Sequence, residues 1–423
     1  MSSGRLNRGL WLIFLICLLL IPQRSFTTSA GDIPVRTKRA YLVPRSRLNL
    51  LPSTQRPTAL AELNDLVYVE MSESQTLKLA ETIHDKTFRC GGFMEVETEF
   101  QMGLAPQQIL RQSFTQAKLQ LAPQEVDFKI RFKNTVKAHI GKAQISRAQQ
   151  TLNKLVSYSD RHSSSATGSQ AVTDLRDELQ SYARGKNRNK ITFELIATPG
   201  RTQSSLVVTI PGTQPKLPGI VLGGHIDTVP TNKPGADDDG SGSATVAEIF
   251  RALLDSDLRF RRNIYLAFYA AEEVGLVGSQ AVVRSFRDRK IPVRAALQYD
   301  MVGFNSPQDN LPIYMIGDNT HAGLTQFVRD LAREYLAISQ TGTTLCDYAC
   351  SDHASWNAAG FPVAYPFEAS FANYNDKIHS AEDTPSLIDW DHMANFLKLG
   401  LAFSIELAEP TLPSTCFFCR FSN

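Results

Sequence analysis

The second half of the chain alternates two hydrophobic rhythms. Short apolar runs of strand length occupy Leu206 to Ile210, Ile220 to Gly224, Ile264 to Tyr269, Ala295 to Tyr299 and Ile313 to Ile316. Among them lie stretches with apolar residues at helical spacing: Ala148 to Tyr158, Gln170 to Tyr182, Gly242 to Leu254, Leu324 to Tyr335 and His392 to Leu407. Continuous apolar strands alternating with helices predict an α/β domain over residues 143–410. Its sheet is expected to be mixed but mostly parallel, in three layers with helices on both faces.

The first third reads differently. Met71 to His84 carries Leu77, Leu79, Ala80 and Ile83 near helical spacing, and Phe88 to Phe93 marks a turn. Phe128, Ile130 and Phe132 alternate as in a strand. A small N-terminal α+β domain is predicted over residues 61–142, joined to the rest by the basic stretch Lys129 to Lys142. Residues 31–60 are rich in Pro, Arg, Thr and Ser and are predicted to be flexible. Arg36-Thr37-Lys38-Arg39 within them reads either as a site for a processing protease or as an ordinary basic linker. Residues 411–423 form a C-terminal tail.

At the extreme N-terminus, Arg5 and Arg8 precede an apolar run from Leu10 to Ile21, then Pro22 and the small residues Thr28-Ser29-Ala30. This three-part pattern predicts a secretory signal over residues 1–30 and a secreted chain. The run is short for a spanning helix, and no later segment is apolar enough for stable membrane insertion.

Composition changes little. Hydrophobic content of 43%, charged content of 20% and a formal net charge of +2 suit a soluble protein and give no basic stripe for nucleic acid. Arg184 to Lys190 is a short basic stretch of the kind found in solvated loops. The six cysteines matter more, because a secreted chain meets an oxidising environment. Cys17 leaves with the signal, so an odd number remain and one thiol is free or pairs between chains.

The chemistry gathers at the predicted strand ends. His225-Ile226-Asp227 follows one strand, Glu272-Glu273 another, and Asp300 a third. Open α/β sheets collect functional groups there. Adjacent glutamates after a buried strand are costly without partners. Asp237-Asp238-Asp239 precedes the helix at 242, where such residues can cap a helix or hold a cation. His379 alone would be an ordinary loop histidine. Two histidines with several carboxylates exceed the needs of one zinc and suit two that share a ligand. Asp227 is placed to accept the second ring N–H of His225. Cys346 and Cys350, four apart, read as a tight disulfide loop around Tyr348 or as half of a zinc knuckle.

Five ordered motifs carry a resemblance: Gly-Gly-His-x-Asp, Gly-Ala-Asp-Asp-Asp-x-Ser-Gly, Ala-Ala-Glu-Glu-x-Gly, Cys-x-Tyr-x-Cys-Ser-Asp-His and Ile-His. Together they resemble the bacterial secreted leucyl aminopeptidases, a family of co-catalytic di-zinc exopeptidases, over about Ala143 to Glu409. The resemblance implies that His225 and Asp300 hold one Zn2+, that Glu273 and His379 hold the other, and that Asp238 bridges both. It implies Glu272 as general base, Asp227 as the residue orienting His225, a cis Asp238–Asp239 peptide, a Cys346–Cys350 disulfide, and Tyr348 as a transition-state donor. Met301, Phe367 and Phe371 fall where the family lines its pocket for the first side chain; core packing is their other reading. Substrates would be peptides with a free N-terminus and a leucine-like first residue. The region 61–142 resembles the family's propeptide, so a zymogen trimmed by a processing protease is expected. Cys90 would cap a zinc in that zymogen or, more in keeping with the compartment, pair with Cys416 or Cys419. Two rivals are a one-zinc glutaminyl cyclase of the same fold and a catalytically dead binding module. The complete second ligand set and the retained general base speak against them.

Overall fold

A computed structural model describes residues 38–87, 92–96, 103–111, 128–186 and 190–411. The predicted signal segment, Cys17, Cys90, Cys416, Cys419 and the tail beyond Thr411 lie outside the described residues.

The N-terminal sheet contains β1 (Arg39–Pro44), β2 (Ala59–Leu63), β3 (Leu66–Met71) and β4 (Met94–Glu95), in the order β2-β3-β1-β4. All its pairings are antiparallel, with Arg39 opposite Met71 and Pro44 opposite Leu66. One face buries Tyr41, Val43, Val67 and Val69 against Leu79, Ala80 and Ile83 of the helix Glu73–Thr87. The segment expected to be flexible is therefore structured from Arg39 onward, and it supplies a central strand. Its tyrosine and branched aliphatic residues outweigh the surrounding Pro and Arg, because pairing on both sides buries them.

The main sheet contains β5 (Thr192–Ile196), β6 (Ser205–Ile210), β7 (Gly219–His225), β9 (Ile264–Tyr269), β10 (Val293–Gln298) and β13 (Val363–Ala364). Its order is β13-β10-β7-β9-β6-β5. The run β13-β10-β7-β9 is parallel, and β6 and β5 add antiparallel strands at the far edge. Two small sheets complete the fold: β11 (Tyr314–Ile316) with β12 (Gly342–Thr344) and β14 (Pro366–Phe367), and β8 (Arg259–Phe260) with β15 (Pro410–Thr411).

Alternate residues of the main strands serve opposite layers. Ile220, Leu222, Leu266, Phe268 and Leu297 share a core with the helices Ile145–Leu155, Ala166–Gly185, Gly242–Asp255, Ala322–Leu336 and Trp390–Ala408. Val221, Tyr265, Ala267 and Ala296 face the helices Val277–Asp288 and His353–Ala358. Both faces are covered, so β7 and β9 read as unbroken apolar runs rather than alternating ones. Sequence patterning missed β5 and those last two helices, which are short or carry many polar residues.

Phe128, Ile130 and Phe132 do not form the expected strand. They pack on the main core, with the Phe128 ring 5.8 Å from that of Phe327. The buried Glu406 carboxylate accepts the N–H groups of Arg131 at 2.7 Å and Phe132 at 3.1 Å. A carboxylate thus supplies the acceptors that a neighbouring strand would have supplied. Residues 128–142 thus pack on the main core. Among the described residues no helix is long and apolar enough to cross a membrane.

Candidate metal centre

Neighbouring parallel strands β10, β7 and β9 deliver the site. β7 ends at His225, β9 runs on to Glu272 and Glu273, and β10 to Asp300. Gly224 is required beside this edge, since a Cβ there would come within 2.7 Å of the Asp239 carboxylate. After β9 the chain turns sharply through left-handed backbone at Ala271, Gly275 and Leu276, which sets the two glutamates at the turn. His379 arrives from a distant loop and is also left-handed, with φ of 56°. All six side chains (His225, Asp238, Glu272, Glu273, Asp300 and His379) are buried.

The histidines flank Asp238. His225 Nε2 lies 3.0 Å from Asp238 Oδ1 and 3.6 Å from Asp300 Oδ1. His379 Nε2 lies 3.0 Å from Asp238 Oδ2 and 2.8 Å from Glu273 Oε2. The two oxygens of Asp238 therefore face separate histidines, and each histidine also faces a second carboxylate. His225, Asp238 and Glu273 each bring one ligand atom to within 4.8 Å of the others, a histidine-and-carboxylate donor set that suits a metal ion such as zinc. The electrostatics agree. Burial would raise the Asp238 carboxyl, yet the two histidines hold it below the usual range. Burial opposes protonation of His379, yet Glu273 and Asp238 push it up to about 10.

A competing triad of His225, Asp239 and Asp300 also brings ligand atoms within 4.8 Å of one another. Asp239 is otherwise engaged. Its Oδ2 accepts the His225 N–H at 2.9 Å, and its Oδ1 accepts those of Gly242 at 2.8 Å and Met301 at 3.3 Å. Asp239 is a backbone clamp, while Asp300 Oδ1 accepts no hydrogen bond among the described residues and lies 3.6 Å from His225 Nε2. The Asp238–Asp239 peptide is cis. Asp227 meets His225 through two groups. The main-chain oxygen of Asp227 is the nearer partner of His225 Nδ1, at 3.1 Å, with the carboxylate at 3.5 Å. That carboxylate accepts the N–H groups of Glu272 at 3.1 Å and Glu273 at 3.4 Å, so it holds the glutamate turn as well.

Cys346 and Cys350 form a disulfide. Asp318 Oδ2 anchors the loop they close, accepting the N–H groups of Cys346 at 2.6 Å and Asp347 at 3.0 Å. Tyr348 then joins Met301, Ile316, Tyr365, Phe367 and Ile378 in an apolar cluster lined also by Phe371 and Tyr374. The Phe371 ring stands 6.3 Å from Tyr348 and 5.0 Å from Tyr374. The N-terminal unit leans on this region. Leu77 packs on Ala271, Val274 and Val277, and the Glu95 N–H donates to Gly275 O at 3.2 Å. The Arg47 guanidinium lies 5.0 Å from the Tyr348 ring centroid. A cavity of about 1560 Å³ separates Leu42 and Met94 from Gln280 and Arg284; its lining includes Tyr348 but none of the metal-candidate residues.

Comparison with known proteins places this geometry. Residues 205–404 match the model of Peptidase family M28. Leucine aminopeptidase 1 of Aspergillus fumigatus is 36% identical over 61% of this chain and 69% of its own length. The chain belongs to peptidase family M28. It is a metallo-aminopeptidase, a hydrolase. Crystal structures of two Legionella pneumophila proteins are similar throughout. The LapA aminopeptidase is 34% identical with a TM-score of 0.79, covering 88% of this chain and 98% of its own. LapB is 29% identical with a TM-score of 0.80, covering 88% of this chain and 100% of its own.

Around Asp237, this M28 peptidase's site includes two polar residues that the sequence did not single out, Glu368 and Asn375. Asp237 Oδ1 accepts the Gly303 N–H at 3.0 Å, which is shared with Glu368 Oε2 at 3.1 Å, and Asn375 donates to Asp237 Oδ2 at 3.0 Å. Burial, with Asp237 beside it, pushes the Glu368 carboxyl well above the usual range. Ile316, Tyr365, Tyr374 and Ile378 extend the apolar pocket beyond Met301, Phe367 and Phe371. Aromatic density between 361 and 374 could have hinted at the two tyrosines, and Ile378 lies in the Ile-His motif.

Proposed function

We propose that this chain is a secreted two-zinc aminopeptidase that releases leucine-like N-terminal residues from peptides. One observation carries the reading: the two oxygens of Asp238 face two histidines, each backed by its own carboxylate. His225 and Asp300 would hold one zinc, Glu273 and His379 the other, with Asp238 between them. Bound zinc supplies Lewis acidity, which lowers the pKa of water and polarises a carbonyl. Glu272 accepts the proton of the attacking water and returns it to the leaving amine. Asp227 holds Glu272 and Glu273 through their N–H groups and fixes the His225 ring through its carbonyl. Tyr348 donates its hydroxyl to the developing oxyanion. Met301, Phe367 and Phe371 receive the first side chain, and the surrounding carboxylates favour a free amine over a blocked terminus. The leucine preference is supported by the apolar, aromatic pocket.

The N-terminal unit acts as a propeptide in this reading. Its contacts with Tyr348 and with the turn after Glu272 narrow access until a processing protease removes it. Secretion is supported by the charged-apolar-small pattern at the N-terminus.

The test is hydrolysis of a leucine chromogenic amide before and after mild proteolysis, with and without chelator, alongside a zinc count. Two zinc ions per chain and chelator-sensitive release that rises on trimming are expected. Glu272→Gln should lower kcat by ~10²–10⁴-fold with zinc retained. A Glu272→Gln chain as active as the parent would falsify the base, and one zinc per chain would remove the two-metal reading.

A further inference from the structure

Arg161 belongs to none of the motifs and is not a metal candidate, yet only 1% of it is exposed. Its guanidinium is spent on main-chain carbonyls. Nε donates to Ile226 O at 2.8 Å, one terminal nitrogen to Pro234 O at 2.6 Å and Leu155 O at 3.3 Å, and the other to Gly235 O at 2.9 Å. Ile226 follows His225 directly, and Pro234-Gly235 leads into Asp238. One planar cation therefore ties the loop of a histidine ligand to the loop of the shared carboxylate. Its own backbone is fixed as well, by Thr228 Oγ1 on its N–H and Gln203 Nε2 on its carbonyl.

The opposite edge of the second loop is held by Asp383. Its carboxylate accepts the N–H groups of Asp237 at 2.9 Å and Asp238 at 3.1 Å, and its carbonyl accepts that of Ala236 at 3.2 Å. Residues 234–238 are thus gripped by their carbonyls on one side and by their N–H groups on the other. Asp383, Asp239, Asp227 and Asp238 also act on Arg161 through space. A buried cation is expensive unless its surroundings and task require it. Here the requirement is a rigid fork with several donors in one plane, which lysine cannot reproduce.

We infer that Arg161 is a positioning residue of the metal centre: it sets the separation between His225 and Asp238 before metal arrives, with Asp383 bracing the other edge. The inference rests on the two-zinc reading proposed above.

Zinc titration of the chelator-stripped full-length chain tests it, using Arg161→Lys and Asp383→Asn beside the parent. Arg161→Lys keeps the charge and loses the fork. Zinc affinity should fall by about 10–100-fold, the range seen when groups supporting metal ligands are removed. The kcat deficit should close as zinc is raised, with KM unchanged. Circular dichroism confirms that the titrated protein is folded. A merely structural arginine would leave the folded variant binding zinc as the parent does, and that result overturns the inference. If Arg161→Lys does not fold, Asp383→Asn decides: weaker zinc binding supports the brace, and parental affinity removes it. A parent that binds no zinc would remove the metal reading and this inference together, whereas parental affinity in the variants removes the inference alone.

Discussion

Asp318→Ala should slow the enzyme without touching any atom that meets the substrate. Asp318 Oδ2 accepts the N–H groups of Cys346 and Asp347, at 2.6 and 3.0 Å. Hydrogen bonds to a charged group contribute about 1.5–3 kcal/mol each. The Asp318 side chain is partly exposed and the Asp347 bond faces solvent, so solvent screening brings the pair to about 2–3 kcal/mol together. The disulfide stays closed, and Asn319 Nδ2 still reaches Tyr348 O at 3.2 Å. What is lost is the anchor that aims the loop. Complete removal of an oxyanion donor costs about 10²–10³ in kcat, which is the ceiling for a misaimed Tyr348 in the donor role proposed above. A partial loss of roughly 1.4 kcal/mol in the transition state gives a tenfold fall in kcat, with KM within about twofold of the parent. The assay is steady-state hydrolysis of a leucine amide by the trimmed, zinc-saturated chain, for the parent, Asp318→Ala, Tyr348→Phe and the double variant. If Asp318 acts only through Tyr348, the double variant is no slower than Tyr348→Phe. Multiplying effects, or an Asp318→Ala chain with parental kcat, would refute the reasoning.

Acid should destabilise the fold through two buried histidines. Burial pulls His392 down from 6.5 to about 4, and His353 down to about 3. A lowered histidine pKa leaves stability intact above pH ~6.5 and removes it as pH falls toward the folded value, because the unfolded chain then binds protons that the folded chain refuses. Each unit is worth about 1.4 kcal/mol, so His392 accounts for roughly 3 kcal/mol. His392→Phe, which retains the ring contact with Phe396, should flatten the fall in urea midpoint between pH 6.5 and 4; an unchanged slope would show the imidazole is not responsible. Leu77→Asp sets a charge against Ala271, Val274 and Val277. If the N-terminal unit restrains access, the untrimmed variant should gain about fivefold in activity, since losing a partly buried leucine contact removes about 1 kcal/mol, a part of the ~1.5–3 kcal/mol of full burial. Parental activity before trimming, with normal activity after it, would show that this contact imposes no restraint.

The layered α/β plan was readable because its signals are local. Strand length, helical spacing and Gly223-Gly224 at the end of β7 are properties of neighbouring residues. So are the carboxylates and histidine that follow three of the strands, since a parallel sheet sends its strand ends to one side. The Cys346–Cys350 spacing likewise limits what that loop can be. The same locality misled at Phe128 to Phe132, where alternation was real but the acceptors came from Glu406, 275 positions beyond Arg131.

What the tertiary structure alone decided is the direction of each group. Three consecutive aspartates look equivalent in the chain. Only the fold turns Asp238 toward the two histidines, spends Asp239 on backbone N–H groups and sets Asp237 beside Glu368. Arg161, Asp318 and Asp383 are ordinary polar residues in sequence, and they acquire work mainly from carbonyls and N–H groups 28 to 146 positions away. Hydrophobic periodicity records which face of an element is buried, and so it determines layers. The aim of a buried polar side chain depends on which unpaired backbone groups the packed layers bring within 3 Å of it, and no local pattern encodes that.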